Sequence, residues 1–248
     1  MRNKTVAAFL TCVFAVAVIG QSKNKPWQEW SDKEAERILN DSPWGQTQSD
    51  ENISQMFYNP TNSGQTSQNT GTNRGGNVVS GNTRGTEAGL NQATIVKLRI
   101  RWLTARPIRQ ALARQTKLRT GQLPEQLIAF AESPPDNRVI IAVTFEANDQ
   151  RLGNQTMQAL NSANTGVLKN ETYLERKDGK RIFLQEYVPP QNNSLGAALF
   201  IFPRVVDQLP ILSTDSGEVR FVSEFNKNLK LNMKYKVSDM IYANQLEY

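Results

Sequence analysis

The stretch Val96-Lys97-Leu98-Arg99-Ile100-Arg101-Trp102-Leu103-Thr104-Ala105-Arg106-Pro107-Ile108-Arg109-Gln110-Ala111, continuing to Thr120, changes its apolar period halfway along. In its first half Val96, Leu98, Ile100 and Trp102 alternate with Lys97, Arg99 and Arg101. A period of two is that of a strand with its apolar residues on one face and its cations on the other. Pro107 then opens a helix in the first turn, where its missing amide is harmless. At about 100° per residue, Ile108, Ala111, Leu112, Gln115 and Leu118 gather on one side, and Arg106, Arg109, Arg114 and Lys117 fall opposite, within roughly 140°. A strand running directly into a helix is the local signature on which the fold turns.

Towards the N-terminus, residues 59–90 are Asn, Thr, Gly, Ser and Gln with few large apolar side chains. Such a composition buries too little surface to offset the entropy of ordering, so it reads as a disordered loop. Residues 46–58 and 93–104 on either side are strand-like and are expected to pair across it. Upstream, Ser31 and Glu34 form a capping box, Ala35, Ile38 and Leu39 an apolar stripe, and Asp41-Ser42-Pro43 a stop. Trp27, Trp30 and Trp44 flank this helix. They suit a small apolar cap packed on the main domain, or an exposed aromatic platform for sugars or a partner.

Residues 1–20 have the layout of a secretory signal peptide: Arg2 and Lys4, an uncharged run from Thr5 to Ile19, then Gly20 before polar Gln21. The run is shorter than the ~20 residues a membrane span needs. Cys12 sits inside the run, not after a small residue at its end, which argues against a lipid anchor. Cleavage after Gly20 leaves residues 21–248 without cysteine, a single domain held by its core and not by disulfides. The expected location is periplasmic or extracellular.

Towards the C-terminus, Val139–Phe145 is a nearly continuous apolar run and hence a buried strand, preceded by helical character over 123–131. Residues 172–188 read as a hairpin turning at Asp178-Gly179. Residues 197–202, 219–225 and 229–237 are further strands, punctuated by Pro189-Pro190, Pro203 and Pro210. The tail beyond Val237 suits a strand or a short helix. Many strands, few helices and no regular βαβ alternation define an α+β fold with an antiparallel-rich sheet.

The 248 residues include 29 basic, 23 acidic and no His. Without His there is no Ser-His-Asp or Cys-His catalysis and no His-ligated metal. An enzyme would need paired carboxylates, a Ser-Lys dyad or an all-oxygen metal site. Asp207, Asp215 and Glu218 are the densest acids of the strand-rich half, although Asp215-Ser216-Gly217-Glu218 reads more simply as a hairpin turn. There is no Walker sequence, calcium-loop spacing, G-x-S-x-G or G-x-G-x-x-G. No catalytic residue, metal or cofactor is assigned.

The sharper constellation is again 97–119, with eight basic residues and no acidic one. Lys97, Arg99, Arg101, Arg106, Arg109, Arg114 and Lys117 are the candidate binding residues for an anionic envelope polymer or an acidic protein; nucleic acid fits poorly with export. The plainer reading is a solvated face paired with acids from elsewhere. Trp27, Trp30 and Trp44 are the lesser binding candidate.

Three strings occur together: Trp27-Gln28-Glu29-Trp30-Ser31 leading to Leu39-Asn40-Asp41-Ser42-Pro43-Trp44; Ile100 to Ala111; and Lys234-Tyr235-Lys236-Val237-Ser238-Asp239-Met240-Ile241-Tyr242. In these the chain resembles a group of exported bacterial proteins, of a kind common in soil acidobacteria, to which no activity is attached. The resemblance implies an extracytoplasmic bacterial setting and a shared architecture for the three segments. The expected function is an exported, envelope-associated binding or scaffolding protein. The alternatives are a His-free carboxylate hydrolase of envelope carbohydrate and a structural subunit of an envelope assembly.

Overall fold

A computed structural model describes residues 25–50, 95–134, 137–227 and 229–248. The expected signal peptide (1–20), the Asn/Thr/Gly-rich stretch (59–90) and the strand-like residues 51–58 lie outside the described residues. In chain order the elements are α1 (Asp32–Asn40), β1 (Gly45–Asp50), β2 (Val96–Trp102), α2 (Arg106–Thr120), α3 (Glu125–Glu132), β3 (Arg138–Ala147), α4 (Gln150–Ser162) and α5 (Thr165–Leu168). There follow β4 (Thr172–Arg176), β5 (Arg181–Phe183), β6 (Glu186–Val188), β7 (Ala198–Pro203), β8 (Val205–Val206), β9 (Leu209–Pro210), β10 (Glu218–Glu224), β11 (Lys230–Lys236), β12 (Ile241–Tyr242) and β13 (Gln245–Leu246). The fold is α+β and its sheets are antiparallel.

Two sheets carry the core. The first runs β1-β2-β3-β7-β6, the second β11-β10-β4-β5. β1 and β2 pair as the two ends of the Asn/Thr/Gly-rich insertion, with Gly45 opposite Arg101 and Asp50 opposite Val96. Alternation does the sorting: Leu98, Ile100 and Trp102 share a face with Val143, Ile141, Phe200 and Phe202. Phe221, Leu231, Tyr235 and Leu174 share the inner face of the second sheet. The two faces meet edge to face, with ring centroids 5.1 Å apart for Phe200 and Phe221 and 5.4 Å for Trp102 and Tyr235. Each such pair adds about 0.5–1.5 kcal/mol beyond its buried area. A polar pair on the inner face of the second sheet is satisfied internally, since Thr172 and Ser223 share a buried hydrogen bond of 2.8 Å.

At one corner the sheets are tied by a side chain. The Gln48 amide of β1 donates to Lys230 O (2.9 Å) and accepts from Asn232 N (2.9 Å), as a neighbouring strand would. The α1–β1 turn is equally specific. A Cβ at Gly45 would run into the Leu39 carbonyl, so only glycine lets the chain turn so tightly against the helix end.

Sequence and structure part at several points. The 172–188 segment is a hairpin only as far as β5, turning at Gly179 with φ 82°. The chain then crosses to the first sheet, where β6 pairs with β7. Period-two alternation says which face a residue takes but not which sheet the strand joins. Asp215-Ser216-Gly217-Glu218 is not a hairpin turn. Residues Thr214–Ser216 form a single 3-10 turn, and Glu218 begins β10. The tail, open in sequence between strand and short helix, takes the strand option as a short hairpin, β12–β13, with Ala243 and Asn244 at positive φ. Helix α4 has no counterpart in the sequence reading. Asp149 caps it by accepting from Leu152 N (2.9 Å), and Leu152, Thr156 and Leu160 form its buried stripe.

Candidate functional site

The basic stretch occupies β2 and α2, as its change of period predicts. Its cations do not form the open face that the helical projection suggests. Arg109, expected outside, is 4% exposed; it donates to Thr104 O and, at 2.6 Å, to Ser133 O. Burial pushes its guanidinium pKa down. Arg114 donates to Trp30 O. Arg101 donates to Leu39 O (3.0 Å) and Asn40 Oδ1 (2.8 Å) at the C-terminal end of α1, where free carbonyls and the helix dipole favour a cation. Desolvation takes its pKa down to about 10. Arg99 pairs with Glu146 across the sheet at 2.7 Å. Leu118, expected on the buried side, is instead 42% exposed. Lys97 is exposed and Lys117 half-buried, with no ion pair for either among the described residues.

The physical reason is that α2 is embedded along its first half. Pro107, Ile108, Arg109, Gln110, Ala111 and Ala113 are all buried, because α1 and α3 pack on it from two sides. A projection of one helix cannot show a second and third helix covering its polar side.

Arg106 anchors the tail. The Glu247 carboxylate, 7% exposed, accepts from Arg106 N (3.1 Å) and Nε (3.1 Å) and pairs with Nη2 at 2.9 Å. Arg106 also lies over the Tyr242 ring, 5.5 Å from its centroid. Tyr242 donates to Gln110 Oε1 (2.8 Å), and Gln110 donates to Glu132, which also accepts from Trp27 Nε1. Trp44 Nε1 donates to Glu247 O (2.9 Å). The tryptophan segment, the basic stretch and the tail therefore close into one polar network, part-buried along most of its length. Of the two arrangements open to the tryptophans, the exposed platform is absent and the packed cap is present. Trp27, Trp30 and Trp44 are 4%, 5% and 3% exposed and form the packed cap, with no ring face left for a ligand.

A different surface is open. The outer face of the second sheet has exposed side chains along β11 and β5 and half-buried ones between. One cross-strand row reads Lys234, Arg220, Glu175, Arg181, and the next Asn232, Val222, Tyr173, Phe183. Glu175 accepts from both Arg220 and Arg181, the latter at 2.9 Å. The Arg220 hydrogen bond, then that of Arg181, hold the Glu175 carboxyl below its ordinary range, and Glu175 in turn raises the Arg220 pKa. Arg181 stacks over Tyr173 at 4.3 Å, and Tyr173 meets Phe183 edge to face at 5.8 Å. Phe183 is 49% exposed. Lys230 pairs with Glu224 (2.8 Å) and Lys236 with Asp239 (3.2 Å), whereas Lys234 has no ion-pair partner among the described residues.

Sequence reasoning missed this face because its residues come from four separate strands. The available signal was the alternation of Lys230, Asn232, Lys234 and Lys236 with Leu231 and Tyr235. Asp207, Asp215 and Glu218 are each exposed and sit on separate elements. Asp207 lies in the β8–β9 turn at φ 53°, 3.9 Å from Lys180. Among the described residues no group of three or more Asp, Glu, His or Cys is placed to hold a metal ion, and no helix is long and apolar enough to cross a membrane. Comparison with protein-family models, with curated proteins and with solved structures gives no match.

Proposed function

We propose that this is an exported protein that binds or scaffolds at the cell envelope without catalysing a reaction, and that it engages an anionic polymer. The observation that carries this reading is the outer face of the second sheet, an open surface with five cations (Lys230, Lys234, Lys236, Arg220, Arg181) against three carboxylates (Glu175, Glu218, Glu224). An extended, rigid sheet presenting excess positive charge suits a linear polyanion. Within the basic stretch, Lys97, Lys117 and Arg119 remain as a second, smaller group. The export layout of residues 1–20 supports an envelope polymer over nucleic acid.

The test is retention of the exported protein on carboxylated dextran beside neutral dextran, with elution by salt. The expected result is retention on the charged matrix alone, lost as the Debye length shrinks from roughly 10 Å at 0.1 M towards 3 Å at 1 M. Changing Lys230, Lys234 and Lys236 to Gln lowers the eluting salt, and changing Lys97, Lys117 and Arg119 to Gln leaves it nearly unchanged. The reverse order would place the contact on the 97–119 stretch. No retention at low salt would end the reading.

A further inference from the structure

Resting on that reading, we propose that the polymer is a carboxylated polysaccharide, seated with a sugar ring against Phe183 and Tyr173 and its carboxylates on the Arg181–Arg220–Lys234 row. Charge bookkeeping on the face does not single out a bare polyanion. Of the five cations, Arg181 and Arg220 are shared with Glu175, Lys230 is held by Glu224 and Lys236 by Asp239. Lys234 remains as the one cation of this face without an ion pair among the described residues. The excess charge draws a polyanion to the face, but with four of the five cations already ion-paired it does not by itself select one kind of polyanion over another.

For selection the face offers directional groups. Each of the two guanidiniums uses one nitrogen on Glu175 and keeps further N–H donors in a planar fork suited to a carboxylate. The Glu175 clamp also fixes their orientation, which reduces the rotamer entropy lost on binding. Beside this row, Phe183 presents an exposed ring, the Tyr173 hydroxyl is a donor and acceptor, and Asn232 is exposed on β11. Aromatic rings next to hydroxyl and amide groups match a sugar, which has an apolar ring face and a rim of hydroxyls. The four strands span about 14 Å at ~4.8 Å spacing, room for a few sugar residues lying across them.

Nucleic-acid bases also stack on sheet aromatics, but they need flat, open rings. Tyr173 is already covered by Arg181, and its ring stands at 63° to Phe183, so no coplanar platform exists for successive bases. A pyranose ring needs only the single exposed face of Phe183.

The experiment titrates the exported protein with polygalacturonate oligomers, with the matching neutral galactan oligomers, with polyphosphate and with single-stranded oligodeoxythymidylate. Polygalacturonate is expected to bind more tightly than the other three. Phe183→Ala is expected to weaken it about tenfold and polyphosphate less than about twofold, while Phe183→Trp restores the uronate affinity. Arg181→Gln weakens uronate binding, and the position is exposed enough for an unchanged melting curve to confirm the fold. Polyphosphate binding as tightly as uronate, with Phe183→Ala silent, would overturn the sugar assignment and leave the anionic-polymer reading standing. Oligodeoxythymidylate binding tightest, in a Phe183-dependent way, would overturn it in favour of nucleic acid. No binding by any polyanion would end both.

Discussion

The basic stretch on β2 and α2 and the outer face of the second sheet are both rich in cations, yet they use them in opposite ways. In the first, four arginines reach backbone carbonyls or a buried carboxylate: Arg101 at the end of α1, Arg106 on Glu247, Arg109 on Thr104 and Ser133, Arg114 on Trp30. In the second, Arg220 and Arg181 pair with a carboxylate on their own face and stay half-buried or exposed. Charge density along the sequence points to the first region alone, and it does not show which of that region's cations are occupied internally. What separates the two regions is the supply of unsatisfied acceptors. Helix ends and loops leave carbonyls without partners, and an Arg with five donors is the side chain best able to satisfy several at once. A sheet face has its carbonyls already paired in the ladder, so its arginines must look to side chains or outward.

The comparison can be broken most forcefully at Glu247. If the first region is internal architecture, Glu247→Ala strands the Arg106 guanidinium and its backbone amide in a site only 7% exposed for the carboxylate residue. Only the carboxylate is buried, since the Arg106 side chain keeps 27% exposure, so the loss is set by the charge-assisted hydrogen bonds and is about 3 kcal/mol. Urea unfolding should show a loss of that order with an unchanged denaturant slope, the slope reporting that the exposed area is the same. A loss below about 1 kcal/mol would mean that the tail is only loosely held.

A sharper contrast swaps the same residue type in the two regions. Arg109→Met keeps a long apolar stem but removes the donors to Thr104 O and Ser133 O, and hydrogen bonds to a charged group are worth about 1.5–3 kcal/mol. Arg181→Met, on the exposed pair with Glu175, should cost less than about 1 kcal/mol. Measured together by chemical denaturation, equal losses would erase the distinction drawn between the regions.

How far the sequence reveals each region follows from the range of the information. Local signals read correctly: the capping box at Ser31 and Glu34, the apolar run that became β3, the glycine turn at Gly179, and the strand-to-helix change at Pro107. These depend on neighbours within a few residues. The burial of Arg109 depends on Thr104, on Ser133 some 24 residues away, and on packing by α1 and α3, none of which a helical projection contains. The Asn- and Gln-rich character of α4 hides a stripe of only three buried residues. The open face draws on β4, β5, β10 and β11, whose order emerges only when the chain leaves the hairpin for the first sheet after Phe183.

A smaller effect tests whether the seam between the sheets is specified by a side chain. Gln48 is the only described residue of β1 that hydrogen-bonds both the carbonyl of Lys230 and the amide of Asn232. Gln48→Ala should cost about 1 kcal/mol and raise amide exchange at Asn232 selectively, because that N–H loses its Gln48 acceptor and is left to water. Gln48→Glu keeps the acceptor for Asn232 but not the donor to Lys230, so exchange at Asn232 should remain slow.

The smallest expected effect lies in the pH dependence of the tryptophan cap. Glu34 accepts from the Ser31 backbone (2.7 Å) and pairs with Lys25 (2.9 Å), and these bonds, the backbone one first, draw its carboxyl down to about 2. The ordinary Glu value is about 4.3. A carboxyl whose pKa is lower folded than unfolded adds stability that is fully present above the unfolded value. That stability fades as pH falls towards the folded value, because the unfolded chain takes up the proton first. Comparing the protein with Glu34→Gln by thermal unfolding, the gap in melting temperature should be constant from neutral pH to about 5 and should close between about 4.3 and 2. Because Trp27 and Trp30 are packed immediately before this helix start, their fluorescence is the local readout. A gap that persists at the acid end would assign the stabilisation to the shape of the Glu34 side chain, and not to its charge.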